Sequence, residues 1–346
     1  MEHYAGIDVS LELSSICVVD AQGRVAREAK IASDPDALVA WFSEVGFPVK
    51  SIGIEAGPLS QWLHAGLTQA GFAAVLLETR HVKAALSAMM VKTDRKDARG
   101  IAQLIRMGWF RPVHAKSIGA QEVRALLVAR KQLLNRVLDI ELSLRGILRN
   151  FGLKVGDIPR GDFELRIREL VAGQATLQQI ADAMLAARTT LRTQFNVLHK
   201  IMLAIVRQDP ICRRLMTIPG VGPLTAIAFK SAVDDPSRIK RSKDAGALFG
   251  LTPRKYQSGE RDVTGSITRV GDEMVRTALY EAANALMLRV RRFSTLKRWA
   301  MEVAKRRGAK RAKVALARKL AVVMHRMWID GSDFRWSNAD RIVKAG

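Results

Sequence analysis

Along the first eighty residues the apolar positions switch between two periods. Residues 4–9 (YAGIDV) and 15–20 (SICVVD) are short β-branched apolar runs. AQGR at 21–24 is a turn signal, and Val25 to Ile31 can form a third strand of a meander. Leu38, Trp41, Phe42 and Val45 then fall at helical spacing over 36–46. Residues 50–55 (KSIGIE) return to strand, 59–70 reads as helix, and 73–77 (AAVLL) reads as strand. A three-stranded start followed by alternating helix and strand predicts a mixed α/β sheet.

Beyond that sheet the pattern is helical. Residues 94–107 form one helix. A longer pattern over 117–150 places Val123, Leu126, Leu127, Leu133, Leu134, Val137, Leu138, Ile140 and Leu144 on one stripe. Residues 162–207 continue mostly helical, broken at Gly173, which predicts a helical linker of coiled-coil type. KVGDIPRG at 154–161 marks the boundary between the halves. A second, mostly α domain begins near 209, with Pro/Gly turns at 219–223, a polar loop over 250–271 and helices from 272. The expected division is 1–150, a linker 151–208, a C-terminal domain 209–330, and a frayed tail 331–346.

Composition narrows the function. Apolar residues make up 48% of the 346, enough for a substantial core. Lys and Arg number 56 against 33 acids, a formal net charge of +23, so the expected partner is a polyanion and foremost nucleic acid. A ribosome-like or membrane-surface protein shares such a charge. Between Arg289 and Lys319 stand 13 Lys and Arg against one acid, Glu302. Arg306, Arg307, Lys310 and Arg311 lie there as candidate phosphate contacts, against the alternative of a solvated helix face. No apolar run approaches a membrane span, no secretory signal is seen, and two unpaired-looking cysteines fit a reducing, bacterial cytoplasm.

Two strands repeat a Gly-Ile-acid pattern, YAGIDVS and SIGIEAG. Alternation turns Ile7 and Ile54 to one face and Asp8 and Glu55 to the other. An acid between apolar residues in mid-strand is costly to bury unpaired, so two at matching positions suggest convergence. In KTDRKDARGIAQLI (92–105), Asp94 and Asp97 are three apart and continue the apolar stripe of Ile101, Leu104 and Ile105. The plainer reading is that both are first-turn acids complementing the helix dipole, which suits Asp94 better than Asp97. Four carboxylates around divalent metal is the logic of phosphoryl transfer, with Mg²⁺ expected and Mn²⁺ as substitute.

A second constellation follows. IPGVGPLTAIAF (218–229) fits a helix-hairpin-helix turn in which Gly220 and Gly222 let the backbone approach a phosphate, or an ordinary packing corner. In GLTPRKYQSGERDVTGSITRVG, Ser258 precedes Gly259, with Arg254, Lys255, Arg261 and Arg269 nearby as candidate phosphate contacts. No histidine neighbours it to form a Ser-His pair. On chemistry alone Ser258 is a loop residue, and Ser266 has no better claim.

Together these motifs resemble the DEDD transposases of the insertion-sequence one-ten family, described as bridge-RNA-guided serine recombinases. The likeness runs over nearly the whole chain through GIDVS, IGIEAG, KTDRKDARGIAQLI, IPGVGPLTA and the QSG-to-ITRVG block. It implies an RNase H-like (RuvC-like) domain whose metal-binding acids are Asp8, Glu55, Asp94 and Asp97. It also implies a C-terminal transposase domain with Ser258 as nucleophile, joining covalently to DNA. A structured guide RNA pairing with donor and target DNA, a homo-oligomer, and active sites completed between protomers belong to the same implication. Two rivals remain: a Holliday-junction resolvase-like nuclease in which Ser258 is incidental, and a non-catalytic DNA-binding protein.

Overall fold

A computed structural model describes residues 2–87 and 93–336. Lys92, at the head of the KTDRKDA motif, and the tail from 337 lie outside the described residues. The chain divides into two compact units, 1–116 and 117–346.

The first unit is built on a six-stranded mixed sheet in the order β3-β2-β1-β4-β5-β6. β1 (His3–Asp8), β2 (Leu13–Asp20) and β3 (Val25–Ala32) form the expected antiparallel meander. Helix α1 (Pro35–Ser43) leads to β4 (Val49–Glu55), which lies parallel to β1. Helix α2 (Ser60–Gln69) carries the chain to β5 (Ala74–Leu77), parallel to β4. Then come α3 (Thr79–Leu86), α4 (Asp94–Met107) and the edge strand β6 (Pro112–Val113). This mixed sheet is consistent with a RuvC-like arrangement.

Strand alternation sorts side chains to two faces. Ala5, Ile7, Ile52 and Ile54 join Leu38, Phe42, Leu63 and Leu67 of α1 and α2 in one core. On the other face, Cys17 and Val19 meet Ala98 and Ala102 of α4, while Leu77 meets Val82, Ile101, Leu104 and Ile105.

The second unit begins with α5 (Ile118–Arg149), followed by α6 (Phe163–Leu170) and α7 (Ala175–Gln208). Leu144 and Leu148 pack with Leu177, Ala181 and Leu185, whereas Leu127 at the other end of α5 packs with Met202 and Val206. The two long helices are therefore antiparallel neighbours. Their pairing places α5 in the second compact unit. Buried Arg188 of α7 donates from Nε to Glu141 of α5 at 2.8 Å and lies over the Phe163 ring, which satisfies a charge that burial alone would penalise.

The rest of the unit wraps one helical core. Short α8 (Pro210–Leu215) precedes α9 (Pro223–Val233), whose residues from Thr225 to Phe229 are all buried. After α10 (Ala245–Leu248) a two-stranded hairpin, β7 (Pro253–Ser258) and β8 (Arg261–Ile267), interrupts the helices. Then α11 (Glu273–Leu288), α12 (Thr295–Arg307) and α13 (Ala309–Asp330) close the core around Phe229, Leu279, Leu286, Leu316 and Leu320.

Two expectations are corrected here. The stretch expected as a polar loop over 250–271 holds the β7–β8 hairpin. Residues 331–336, expected to fray, are tied down: Phe334 N donates to Thr217 Oγ1 at 3.0 Å, Thr295 N donates to Trp336 O at 3.0 Å, and Arg292 lies over the Trp336 ring.

Candidate active site

The Gly-Ile-acid repeat has a packing reason. A Cβ on Gly6 would stand 2.3 Å from both Ala98 O and Ala102 N of α4. One on Gly53 would stand 2.5 Å from Ile105 Cγ1 and 3.0 Å from Ile101 Cγ2. Both glycines thus let α4 lie directly on the sheet. The register aligns them, with Gly6 opposite Gly53 and Ile7 opposite Ile54, so the next residues, Asp8 and Glu55, end two parallel strands side by side.

Helix α4 runs back along β1. Gly23, in the turn beside the start of β1, is covered by Gln103 and Arg106, while Gly6 is covered by Ala98 and Ala102. The N-terminal turn of α4 is consequently delivered to the end of the sheet where Asp8 and Glu55 stand. Thr93 caps it by accepting from Lys96 N at 3.3 Å, which starts the helix in register with Asp94 at its first position. Asp97 is half-buried on the turn preceding Ile101, and Asp8 and Glu55 are also half-buried. Asp94 is exposed, so the inward stripe expected for both aspartates holds for Asp97 only. The same turn is tethered to the sheet by Arg95, whose Nε donates to Glu28 of β3 at 2.6 Å. That guanidinium holds the Glu28 carboxyl below the usual carboxylate range.

Asp8 and Glu55 end neighbouring strands and Asp94 and Asp97 lie in the first turn of the helix packed on that sheet; all four are hard oxygen donors of the kind that hold Mg²⁺ or Mn²⁺. Among the described residues, however, no group of three His, Cys, Asp or Glu side chains is gathered closely enough to hold one ion as they stand.

Ser258 belongs to the second unit. It is the last residue of β7 and pairs directly with Arg261 across a two-residue turn, in which Gly259 has φ +55°. Ser258, Arg261, Tyr256 and Val263 share one face. Gln257, Asp262, Lys255 and Thr264 share the other, where Lys255 pairs with Asp262 at 3.1 Å. Lys255 therefore stands on the face away from Ser258, contrary to the expectation that it lies beside the serine. Every residue from 253 to 266 is exposed, Ser266 among them on β8.

The hairpin's root, by contrast, is tightly built. A Cβ on Gly250 would stand 2.3 Å from Val270 O, and one on Gly271 2.1 Å from Leu248 O. Arg269 holds φ +56°, uncommon for a side-chain-bearing residue, while its N–H donates to Gly250 O at 3.1 Å. Arg276 of α11 donates to Phe249 O at 3.1 Å, and Asp272 caps α11 while pairing with Arg124 of α5 at 2.6 Å. A rigid base thus carries a fully solvated blade with a hydroxyl at its tip.

Two family models match this chain. A DEDD transposase model of IS110 elements, described as transposase, matches residues 5–152. A second, described as transposase IS116/IS110/IS902 family, matches residues 212–300. The chain belongs to the IS110 family of transposases. It is similar to the transposase for insertion sequence element IS1111A of Coxiella burnetii, with 27% identity over 324 residues that cover 92% of this chain and 87% of that one. It is also similar to a probable family 20 transposase of Pseudomonas aeruginosa, with 25% identity over 327 residues covering 92% and 94%. A transposase of this family cleaves and recombines DNA, and a DEDD domain implies divalent-metal dependence in general.

Of the remaining sequence candidates in this IS110-family transposase, Gly220 serves packing. It has φ +87°, and a Cβ there would stand 2.5 Å from Ala282 O of α11. Gly222 is the residue before α9, with open space where a Cβ would go. The basic stretch divides. Lys297 is buried against Val290 O and the Phe293 ring, whereas Lys319 is exposed and lies over the Trp299 ring. Arg306, Arg307, Lys310 and Arg311 are exposed around Gly308, where α12 ends and α13 begins. No helix among the described residues is long and apolar enough to cross a membrane.

Proposed function

We propose that this transposase performs recombination with two chemistries: a carboxylate set of Asp8, Glu55, Asp94 and Asp97 that uses Mg²⁺, and Ser258 as nucleophile. The observation that carries the reading is the paired glycine seat of α4, which brings both strand acids and the KTDRKDA turn to one sheet end. Mg²⁺ held by these carboxylates would neutralise charge developing at a scissile phosphate. Ser258 Oγ forms an ester to phosphorus as the phosphorus–oxygen bond to one DNA strand breaks. Its proton passes to solvent and the departing strand end takes one up, so the number of phosphoester bonds is unchanged. Arg261, directly opposite Ser258, offsets phosphate charge. Arg306, Arg307, Lys310 and Arg311 hold the DNA backbone, and Gly222 and Arg254 add contacts near it.

Acids and serine belong to different compact units, and the family likeness implies a homo-oligomer whose active sites are completed between protomers. The family likeness adds a structured guide RNA that pairs with donor and target DNA, leaving the protein to read backbone and shape. A chain of net charge +23 suits two polyanionic partners.

The acids are tested by Asp97→Ala. A thermal melt recorded alongside checks that the variant folds. The variant loses both recombination and calorimetric Mg²⁺ binding. Retained recombination with Mg²⁺ present would remove Asp97 from the site.

A further inference from the structure

Tyr256 is 64% exposed and Val263, opposite it, is 56% exposed. Both occupy the serine face of the hairpin, where Arg254 adjoins Gly265, its Cβ 3.8 Å from where a Cβ there would lie. An aromatic ring so exposed contributes little to the core, and the ribbon is already held by its ladder and clamped root. The same residues line a shallow groove of about 480 Å³, completed by Pro253, Lys255 and Thr268.

We propose that Tyr256 is a base-stacking residue that positions an unpaired nucleotide of the DNA strand beside the phosphate presented to Ser258. The proposal rests on Ser258 being the nucleophile. Three features specify the occupant. The surface is flat, aromatic and apolar at Tyr256 and Val263, which suits the π-face of a base and is indifferent to its identity. Arg254 and Arg261 flank it with positive charge, which suits the adjoining phosphates. Tyr256 stands two strand positions from Ser258, about 6.8 Å along the ribbon, so its ring addresses a nucleotide next to the scissile phosphate rather than the phosphate itself. A base inside a duplex offers no free face, so the nucleotide must be unstacked. Tyr256 is thus a positioning residue, holding the strand so that Oγ and phosphorus stay in line.

The test reads binding without chemistry. Full-length protein in EDTA is titrated with a single-stranded mixed-sequence deoxyoligonucleotide carrying 2-aminopurine. Wild type and Tyr256→Phe should bind alike and quench the probe. Tyr256→Ala should bind about 5- to 150-fold more weakly, the range for one base–aromatic stack, and should not quench. Its salt dependence should equal that of wild type, whereas Arg261→Gln should lower the log–log slope by about 0.7. Thr264→Ala, on the opposite face, should bind as wild type does. Unchanged affinity in Tyr256→Ala, an equal loss in Tyr256→Phe or Thr264→Ala, or a loss confined to the same sequence made as RNA would overturn the proposal. Failure of Ser258 to join DNA would leave these binding results in place, so the two readings fail separately.

Discussion

Replacing Gly6 by alanine adds a single methyl group at the point where the first unit tolerates it least. The new carbon would lie 2.3 Å from two backbone atoms of α4, Ala98 O and Ala102 N, and 2.9 Å from a third, against 3.4 Å for ordinary contact. Backbone atoms cannot rotate away, so the helix must retreat by about 1 Å. Overpacking of this kind costs about 1–3 kcal/mol, and the upper end applies because no side chain can absorb the shift. The functional cost is larger, since displacing α4 carries Asp97 away from Asp8 and Glu55, and a 1 Å misplacement can cost about 100-fold in rate. Gly53→Ala is the internal control. Its carbon meets the side chains of Ile105 and Ile101, which can change rotamer, so the loss should be smaller in both stability and activity. The assay is excision of a plasmid-borne copy of the element beside thermal denaturation of each purified variant. Equal losses at the two glycines, or a Gly6→Ala protein with wild-type melting and excision, would refute the claim that this close approach sets the acid geometry.

Other consequences follow from the same architecture. Changing Arg306 and Arg307 together to Gln should weaken duplex binding for every sequence and lower the log–log salt slope by about 0.9 for each phosphate no longer neutralised; filter binding between low and moderate salt reads it. The Glu28 carboxyl is held below its usual 4.5, so the stability it gives is fully present above the unfolded value and is lost as pH falls through the lower, folded one. Denaturant titrations should therefore show Glu28→Gln matching wild type best in strong acid and falling behind it as pH rises past about 5. Gly271→Ala places a carbon 2.1 Å from Leu248 O at a backbone angle that disfavours side chains, so hydrogen exchange across 250–271 should accelerate while that of α5 and α7 does not.

The mixed sheet was legible because its strands alternate. Ile7 and Ile54 sit in one core and Asp8 and Glu55 face the other way, as the pattern requires. The role of Gly6 and Gly53 was not legible, because a close helix approach leaves no mark on a single chain beyond the glycine itself. The β7–β8 hairpin escaped for a different reason. Exposed on both faces, it has no apolar alternation, and PRKYQSGERDVTGSI reads as loop by composition. Its one local signal, Gly259 between two polar residues, was a two-residue turn. Charge counting cannot see burial, and of the 13 cations between Arg289 and Lys319 it is Lys297 that the fold buries. The break expected at 150 coincides with the end of α5 and with the end of the matched DEDD model at 152, while the apolar stripe of α5 packs with α7.

In the proposed mechanism a serine at the tip of a clamped hairpin, assisted by a metal-dependent acidic set, becomes joined to DNA. Trapping measures it directly. Full-length protein is incubated with DNA carrying the element's ends, RNA transcribed from its flanks and Mg²⁺, then denatured, digested and examined by mass spectrometry. Wild type and Ser266→Ala should yield a nucleotide adduct on the peptide containing Ser258, and Ser258→Ala should yield none. An adduct that survives Ser258→Ala, or cleaved DNA with no adduct in wild type, would contradict the serine mechanism and leave the four acids to act as a hydrolytic, resolvase-like nuclease.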